Sequence, residues 1–153
     1  MNLTSRLLRC ALLVLLAALG CAGKQTRPAG NPSAPVDDHT QIQGTWQVAS
    51  AEADGQPTDK IADAKFAITG DRMATTTSDK TEVLIVTLRP EKSPKEFDLA
   101  EPDSGKVVVL GIYRLEGDTF TISWIGDSGR RPTDFATSTA TSGHTTAVLK
   151  RSH

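Results

Sequence analysis

A serine between two glycines is the first feature of this chain that could do covalent chemistry. Ser128 lies in the tetrapeptide Gly-Asp-Ser-Gly, residues 126–129. A nucleophilic serine needs a base within hydrogen-bond reach, a group that orients the base, and donors for the oxyanion. His39 lies upstream of this serine and His144 lies downstream, so His144 is the candidate base of a serine hydrolase in a different chain order.

The surrounding residues favour a turn over a nucleophile. The same tetrapeptide surrounds the reactive serine of chymotrypsin-like proteases, but those continue with Gly-Pro, whereas Arg130 and Arg131 follow here. Glycine supplies positive φ, and Asp and Ser side chains bond their own backbone, which is typical of a turn after a strand. We therefore predict no catalytic residue and no enzymatic activity.

Metal and cofactor sites are not indicated either. His39, His144 and His153 are isolated, without His-x-x-x-His or Cys-x-x-Cys spacing. The loop acids lack the spacing of a calcium-binding loop, and no glycine-rich phosphate loop occurs. We predict neither a metal nor a cofactor.

The first twenty residues have the pattern of an export signal. Two arginines precede a ten-residue apolar run, residues 11–20, which is too short to span a bilayer. The run ends at Cys21 in a small-residue context that resembles the processing site of bacterial lipoproteins. The pattern predicts a lipoprotein signal peptide over residues 1–20 and lipidation of Cys21. The alternatives are plain secretion with cleavage near Ala22 or Gly23, and an uncleaved anchor.

Lipidation at Cys21 would anchor the chain to a membrane. Stable anchoring takes two membrane-binding signals, and the diacylglycerol and N-acyl chain of a lipidated cysteine supply more than two. Ala22 follows the cysteine in place of the Asp that resembles an inner-membrane retention signal. We therefore expect an exported, membrane-anchored protein, at the outer membrane facing the periplasm rather than at the inner membrane. The formal net charge of −1 gives no indication of nucleic-acid binding.

A change of composition near residue 41 separates a polar tether from a folded domain. Residues 21–40 are polar and contain three prolines, which predicts an extended tether with few side chains for a core. The domain is predicted over residues 41–153, where apolar and polar residues alternate as in strands. The first strand puts Trp46, Val48 and Ser50 on one face.

Two hairpins are indicated by two-residue turns that begin with glycine. A turn at residues 70–71 pairs Ile68 with Met73 and Phe66 with Thr75. The clearer hairpin turns at Gly117 and Asp118. It predicts three facing pairs: Leu115 with Phe120, Tyr113 with Ile122, and Gly111 with Trp124. In the last pair, the indole is expected to cover the space that glycine leaves.

The strand pattern as a whole indicates an all-β domain. About eight short strands follow one another, joined mostly by tight turns. Residues 58–65 could form a single helical turn, and no convincing amphipathic helix is found. We predict a small antiparallel up-and-down barrel; a sandwich is the alternative.

Four motifs occur in order along residues 42–151, and a terminal strand, TAVLKR, follows them: QGTWQVASAEADGQP, SPKEFDL, GIYRLEGDTFTIS and RRPTDF. Together they resemble the lipocalin-like domain family that is expanded in planctomycete genomes. The resemblance implies a lipocalin-like barrel with a Gly-x-Trp start at Gly44 and Trp46. It also implies that this Trp closes one barrel end under a basic residue, here Lys150 or Arg151. It brings no established activity.

The interior of such a barrel can be either filled or hollow. The residues predicted to point inward are Trp46, Val48, Phe66, Ile68, Met73, Phe97, Leu99, Tyr113, Phe120, Ile122 and Trp124. In a barrel of about eight strands they can pack solidly or line a cavity for one small ligand. The candidate ligand-binding residues are Trp46, Phe66, Tyr113, Phe120 and Trp124.

The predicted function is therefore that of a cell-envelope lipoprotein whose barrel binds a small hydrophobic ligand. The alternative is a non-catalytic structural or protein-interaction domain with a filled core. Arg130 and Arg131 could meet an anionic ligand or lipid headgroup at the barrel mouth, but a solvated turn is the simpler interpretation. The sequence does not indicate an oligomeric state.

Overall fold

A computed structural model describes residues 37–126 and 129–153. Its elements are α1 (Asp38–Gln41), β1 (Gly44–Ala53), β2 (Gln56–Pro57), β3 (Lys65–Thr69), β4 (Arg72–Thr76), β5 (Thr81–Arg89), β6 (Lys95–Ala100), β7 (Val107–Glu116), β8 (Thr119–Ile125) and β9 (His144–Ser152). The predicted signal peptide, the lipidation site Cys21 and most of the predicted tether lie outside the described residues. Asp127 and Ser128 lie outside them as well.

Eight of these strands close into a barrel. Each strand pairs antiparallel with its neighbour in the order β1-β3-β4-β5-β6-β7-β8-β9, and β1 pairs in turn with β9. The two-residue strand β2 only extends the far end of β1. The predicted antiparallel up-and-down barrel is confirmed, and because the sheet closes on itself, the alternative of a sandwich is wrong.

The registers of both predicted hairpins are confirmed. In β3–β4, Ile68 faces Met73, and in β7–β8, Gly111 faces Trp124. Each turn starts with a glycine in the left-handed region, with φ of 62° in the first hairpin and 57° in the second. Two-residue hairpin turns require such a backbone, so the glycines fix the register locally.

A bulge at Ala49 changes the alternation along β1, because the pairing with β9 skips this residue. A bulge sets two residues opposite one and reverses the inward and outward order beyond it. Ser50, which strict alternation places with Trp46 and Val48 on the inner face, is therefore exposed. Ala51 packs against the core in its place.

Helix is nearly absent from the described residues. Its one four-residue helix, α1, precedes the barrel. The segment over residues 58–65 forms a turn instead of the predicted helical one, closed by a 3.0 Å hydrogen bond from the Ala62 amide to the Asp59 carbonyl. Within residues 37–126 and 129–153, no helix has the length and apolar character needed to cross a membrane.

The two ends of the barrel differ in the elements that they carry. At one end, here called the closed end, the chain enters through α1 and turns at residues 70–71 and 117–118. The opposite end, here called the open end, carries the turns at residues 77–80 and 101–106. It also carries the long β8–β9 segment, residues 126–143.

The described part of the β8–β9 segment covers the outer face of the barrel. Ile112 and Ser123 alternate with inward residues and so point outward, yet both are fully buried. The segment reaches them through Phe135, whose carbonyl accepts a 2.9 Å hydrogen bond from the Thr146 hydroxyl on β9. The outer face of the β7–β8 hairpin is therefore dry around Ile112 and Ser123, whereas Arg114 on the same face is exposed.

Candidate functional site

Three aromatic side chains fill the closed end of the barrel. The ring centroid of Phe120 lies 5.4 Å from that of Trp46 and 6.0 Å from that of Tyr113. All three side chains are buried, and the Trp46 indole donates a 2.8 Å hydrogen bond to the carbonyl of Ile42. Trp46, Tyr113 and Phe120, predicted as candidate ligand-binding residues, are buried core residues here.

Arg151 seals the closed end from outside. Its guanidinium carbon lies 4.2 Å from the centroid of the Trp46 ring, a cation–π contact. Its two terminal nitrogens each donate a 2.6 Å hydrogen bond, one to the carbonyl of Gln43 and one to that of Gln41. The basic residue over Trp46 is therefore Arg151, whereas Lys150 is exposed.

A buried carboxylate ties α1 to the barrel wall. The Tyr113 hydroxyl donates to Asp38 Oδ2 at 2.6 Å, and Lys95 Nζ lies 2.7 Å from the same oxygen. Burial alone would raise the pKa of Asp38, but hydrogen bonds from Lys95 and Tyr113 outweigh it and hold that pKa below its usual value. Burial and the bond to Asp38 raise the pKa of Tyr113 well above its ordinary value. Residues 38–40, assigned to the tether from the sequence, thus pack on the domain.

An apolar pocket of about 180 Å³ occupies the open half of the barrel. Its lining residues are Ile61, Phe66, Met73, Thr75, Phe97, Leu99, Val109, Ile122 and Trp124. Of the five candidate ligand-binding residues, the structure brings Phe66 and Trp124 to this pocket. Ile61 is not among the residues predicted to point inward, and its only signal in the sequence is that it is an isolated large apolar residue in a polar loop.

Thr75 and Trp124 are the two pocket residues with polar side-chain atoms. Neither the Thr75 hydroxyl nor the Trp124 indole N–H bonds to another side chain or carbonyl in residues 37–126 and 129–153. The indole of Trp46, by contrast, is fully partnered. The pocket therefore offers an apolar wall with two unused polar groups.

Phe97, rather than Trp124, lies over Gly111. The two strands that flank β7 place Phe97 and Trp124 on either side of this glycine. A Cβ on Gly111 would overlap the Phe97 ring and lie 2.8 Å from the Ser123 carbonyl oxygen. The prediction that the indole covers the glycine is wrong, since the phenyl ring takes that space and leaves Trp124 to line the pocket.

A charged cluster clamps the β8–β9 segment to the outer face. Arg131 pairs with the buried Asp98 carboxylate and donates to the carbonyls of Phe97 and Gly111. Arg89 Nη2 lies 2.5 Å from the second Asp98 oxygen. Burial would raise the pKa of Asp98, but hydrogen bonds from the two arginines outweigh it and hold that pKa below its usual range. The interpretation of Arg131 as part of a solvated turn is therefore wrong.

His144 belongs to a buried network centred on Ser123. The Ser123 hydroxyl oxygen lies 2.8 Å from His144 Nε2, 2.7 Å from the Thr146 hydroxyl and 3.2 Å from the Thr145 carbonyl. The Thr146 hydroxyl already donates to Phe135, so Ser123 must use its single proton on Thr146 or Thr145. His144 Nε2 is then the donor to Ser123. With this assignment every hydroxyl of the network has a partner for its proton, and the network joins β8, β9 and Phe135.

The described residues contain no group of three or more His, Cys, Asp or Glu side chains that could hold a metal ion. The turn predicted at Asp127 and Ser128 lies outside the described residues and stays a prediction. No protein-family model, curated protein or solved structure matches the chain. The resemblance to the lipocalin-like family therefore stays a prediction as well.

Proposed function

We propose that this chain is an exported lipoprotein whose barrel binds one small apolar molecule, or the apolar end of a larger one, in the pocket of the open half. The observation that supports this most is the pocket itself, about 180 Å³, beside a half in which three aromatic rings pack together. Protein interiors are normally close-packed. An apolar wall that is left in contact with water is unfavourable, and a bound apolar ligand would remove that contact.

The volume limits the class of ligand. Typical pockets for drug-sized molecules hold roughly 300–1,000 Å³, whereas an engineered apolar cavity of about 150 Å³ binds benzene. A pocket of about 180 Å³ therefore suits a single ring or a short alkyl segment. The hydroxyl of Thr75 and the indole N–H of Trp124 would favour a ligand with one polar atom at its end.

Two neighbouring valines provide a matched test. Val109 lines the pocket, while Val108 is 37% exposed and does not. Val109→Phe should fill the pocket and weaken binding of benzene and of 1-octanol at least tenfold, measured by NMR titration, and Val108→Phe should leave binding unchanged. Wild-type protein that shows no saturable shift of pocket resonances with either probe would refute the ligand site.

The alternative function, a protein-interaction domain without a ligand, is favoured by one observation. Val83, Val107 and Val108 are large apolar side chains exposed by 37% to 47% near the open end. Native mass spectrometry of protein purified from its own host separates the two functions. A retained small molecule that Val109→Phe excludes supports the ligand site; an empty pocket in wild type, with Val109→Phe more stable than wild type, supports the alternative.

The lipoprotein part of the proposal rests on the signal-like pattern before Cys21 and has its own test. Metabolic labelling with a palmitate analogue should mark the wild-type chain and place it in the membrane fraction. Cys21→Ser should abolish the label, whereas Cys10→Ser, in the predicted signal peptide, should retain it. Labelling that survives Cys21→Ser would rule out this lipidation site without affecting the ligand test.

A further inference from the structure

A second pocket lies outside the barrel, within the fold of the β8–β9 segment. Its volume is about 300 Å³, and it shares no lining residue with the apolar pocket. Its wall includes three hydroxyl side chains, those of Thr133, Ser138 and Thr141. The chain thus builds a polar concavity that is distinct from the site discussed above.

Within the part of the chain that the structure describes, the fold does not use the side-chain hydroxyl groups of these three residues. Among residues 37–126 and 129–153, none of them makes a side-chain hydrogen bond to a protein group. Other hydroxyls of the same region are used: Thr137 bonds to Glu52 and to the amide of Gly55. The Thr137 hydroxyl therefore holds the segment to β1 and the β1–β2 turn, whereas the hydroxyls of the pocket wall remain available to a ligand.

His144 adds a buried acceptor to the same pocket. The residue is only 5% exposed and lies in the pocket wall. Because its Nε2 donates to Ser123, the neutral ring carries its lone pair on Nδ1. No described residue bonds to Nδ1, and no buried side-chain nitrogen or oxygen in the described residues lacks a partner. Nδ1 therefore borders open space, which is the pocket.

We propose that this pocket binds a small neutral polyhydroxylated molecule, such as a single sugar unit. The wall offers hydroxyls, which both donate and accept, together with two acceptors, His144 Nδ1 and the Asp134 carboxylate. A polyol supplies both donors and acceptors to such a wall. A volume of about 300 Å³ has room for one ring.

The charges at the pocket disfavour an anion. A phosphate or carboxylate would bring its negative charge against the Asp134 carboxylate and the lone pair of His144, which repel it. The guanidinium of Arg131 is paired with Asp98, and Arg130 and Asp134, which also line the pocket, carry opposite formal charges. Among the wall residues that the structure describes, the formal charges therefore nearly cancel, which suits a neutral ligand.

The test is an NMR titration of ¹⁵N-labelled protein with D-glucose, D-mannose and myo-inositol, and in parallel with inorganic phosphate. At least one polyol should give saturable shifts at millimolar concentration, confined to amides of residues 133–144. Thr141→Val and Ser138→Ala should each weaken this binding about 3- to 10-fold, as expected for one lost hydrogen bond. Thr139→Val, the same change at an exposed position off the pocket wall, is the matched control.

Each other outcome overturns the proposal. Saturable binding of phosphate without any polyol would show an anion site, and no saturable shift from the whole panel would show no site. Equal weakening by Thr139→Val and Thr141→Val would place the effect outside the pocket. Val109→Phe should leave polyol binding unchanged, so failure of the apolar site and failure of this one are distinguishable.

Discussion

At the scale of single residues, two glycines are fixed by the side chains that approach them. Gly44 has a φ of 113°, and a Cβ there would lie 3.1 Å from a terminal nitrogen of Arg151. The Gly-x-Trp start of the barrel therefore has a physical reason, since the glycine leaves room for the arginine that stacks on Trp46. Gly111 has the same relation to the ring of Phe97.

Gly111→Ala should destabilise the protein by about 1–3 kcal/mol, the usual cost of overpacking a core. The added methyl group would overlap the Phe97 ring. Urea unfolding of four proteins tests this: wild type, each single variant and the double variant with Phe97→Leu. The smaller leucine side chain makes room for the added methyl group. The double variant should therefore lose less free energy of unfolding than the sum of the losses of the two single variants. Strictly additive effects would contradict the contact.

Tyr113 gives a prediction for alkaline pH, because it is the only tyrosine of the chain. Its pKa is raised by burial and by its bond to Asp38, whereas an unfolded tyrosine titrates near pH 10. A raised native pKa stabilises the fold below about pH 10, and this stabilisation is lost as the pH rises further. Phenolate absorbance should therefore appear only together with unfolding. Asp38→Asn should move that transition to lower pH; phenolate formation in folded wild type would contradict the burial.

At the scale of elements, local sequence signals predict the two hairpins, whereas the position of the β8–β9 segment depends on contacts between residues far apart in the sequence. A glycine at each two-residue turn fixes register from neighbouring residues alone, so β3–β4 and β7–β8 follow from the sequence. The clamp between Arg131 and Asp98 joins residues 33 positions apart, which alternation cannot indicate. In the sequence, the apolar residue Ile112 on the outer face of β7 indicates that another segment covers this face, and Ile112 is indeed fully buried.

The candidate site was only half predictable for a similar reason. Inward residues at both barrel ends are apolar, so the pattern cannot say which end is filled. The aromatic contacts of Phe120 with Trp46 and Tyr113 settle this in three dimensions, and they remove three candidates from the pocket. Phe97, not Trp124, covers Gly111, and Phe97 lies on β6, the strand on the other side of β7. The β7–β8 hairpin does not contain β6, so its pattern could not indicate this contact.

The Asp98 clamp should make the stability depend on acid pH. The pKa of Asp98 is lower in the folded protein than in the unfolded chain, where it is about 3.9. The Asp98 carboxylate therefore adds to the free energy of unfolding above that pH, and this stabilisation is lost as the pH falls further. Asp98→Asn should cost about 3 kcal/mol at pH 7, because it leaves Arg89 and Arg131 with Glu96 as their only carboxylate partner among the described residues. This cost should shrink towards pH 3 in urea unfolding.

The exposed pair of Lys80 and Glu82 provides the control for the clamp. Glu82→Gln removes a carboxylate whose side chain is 52% exposed, and it should change stability by no more than about 0.5 kcal/mol. A cost of Asp98→Asn that equals that of Glu82→Gln, or that does not vary with pH, would show that the cluster does not stabilise the fold.

At the scale of the whole molecule, the fold depends on the pairing between its first and last strands. Thr45 faces Ser152, and the pairing of β1 with β9 continues to Ala53 and Thr145. Closure removes the free edges that an open sheet would present to other chains. The same closure brings the two ends of the described domain to one side of the barrel.

A circular permutant should therefore fold. Joining residue 153 to residue 37 through a flexible linker of about ten residues, and opening the chain in the exposed turn between Ser78 and Asp79, keeps every strand pair. We expect cooperative thermal unfolding, whereas a chain cut before His144 should show none. A truncated chain that still melts cooperatively would contradict the dependence on β9.

The pairing of β1 with β9 also sets when folding can finish. A chain that leaves a ribosome or a narrow pore with its amino end first exposes β1 early and β9 last. Until residues 144–152 have emerged, Trp46 has no Arg151 above it and β1 has no partner on one side. The barrel can therefore close only after its last strand is free to pair with the first.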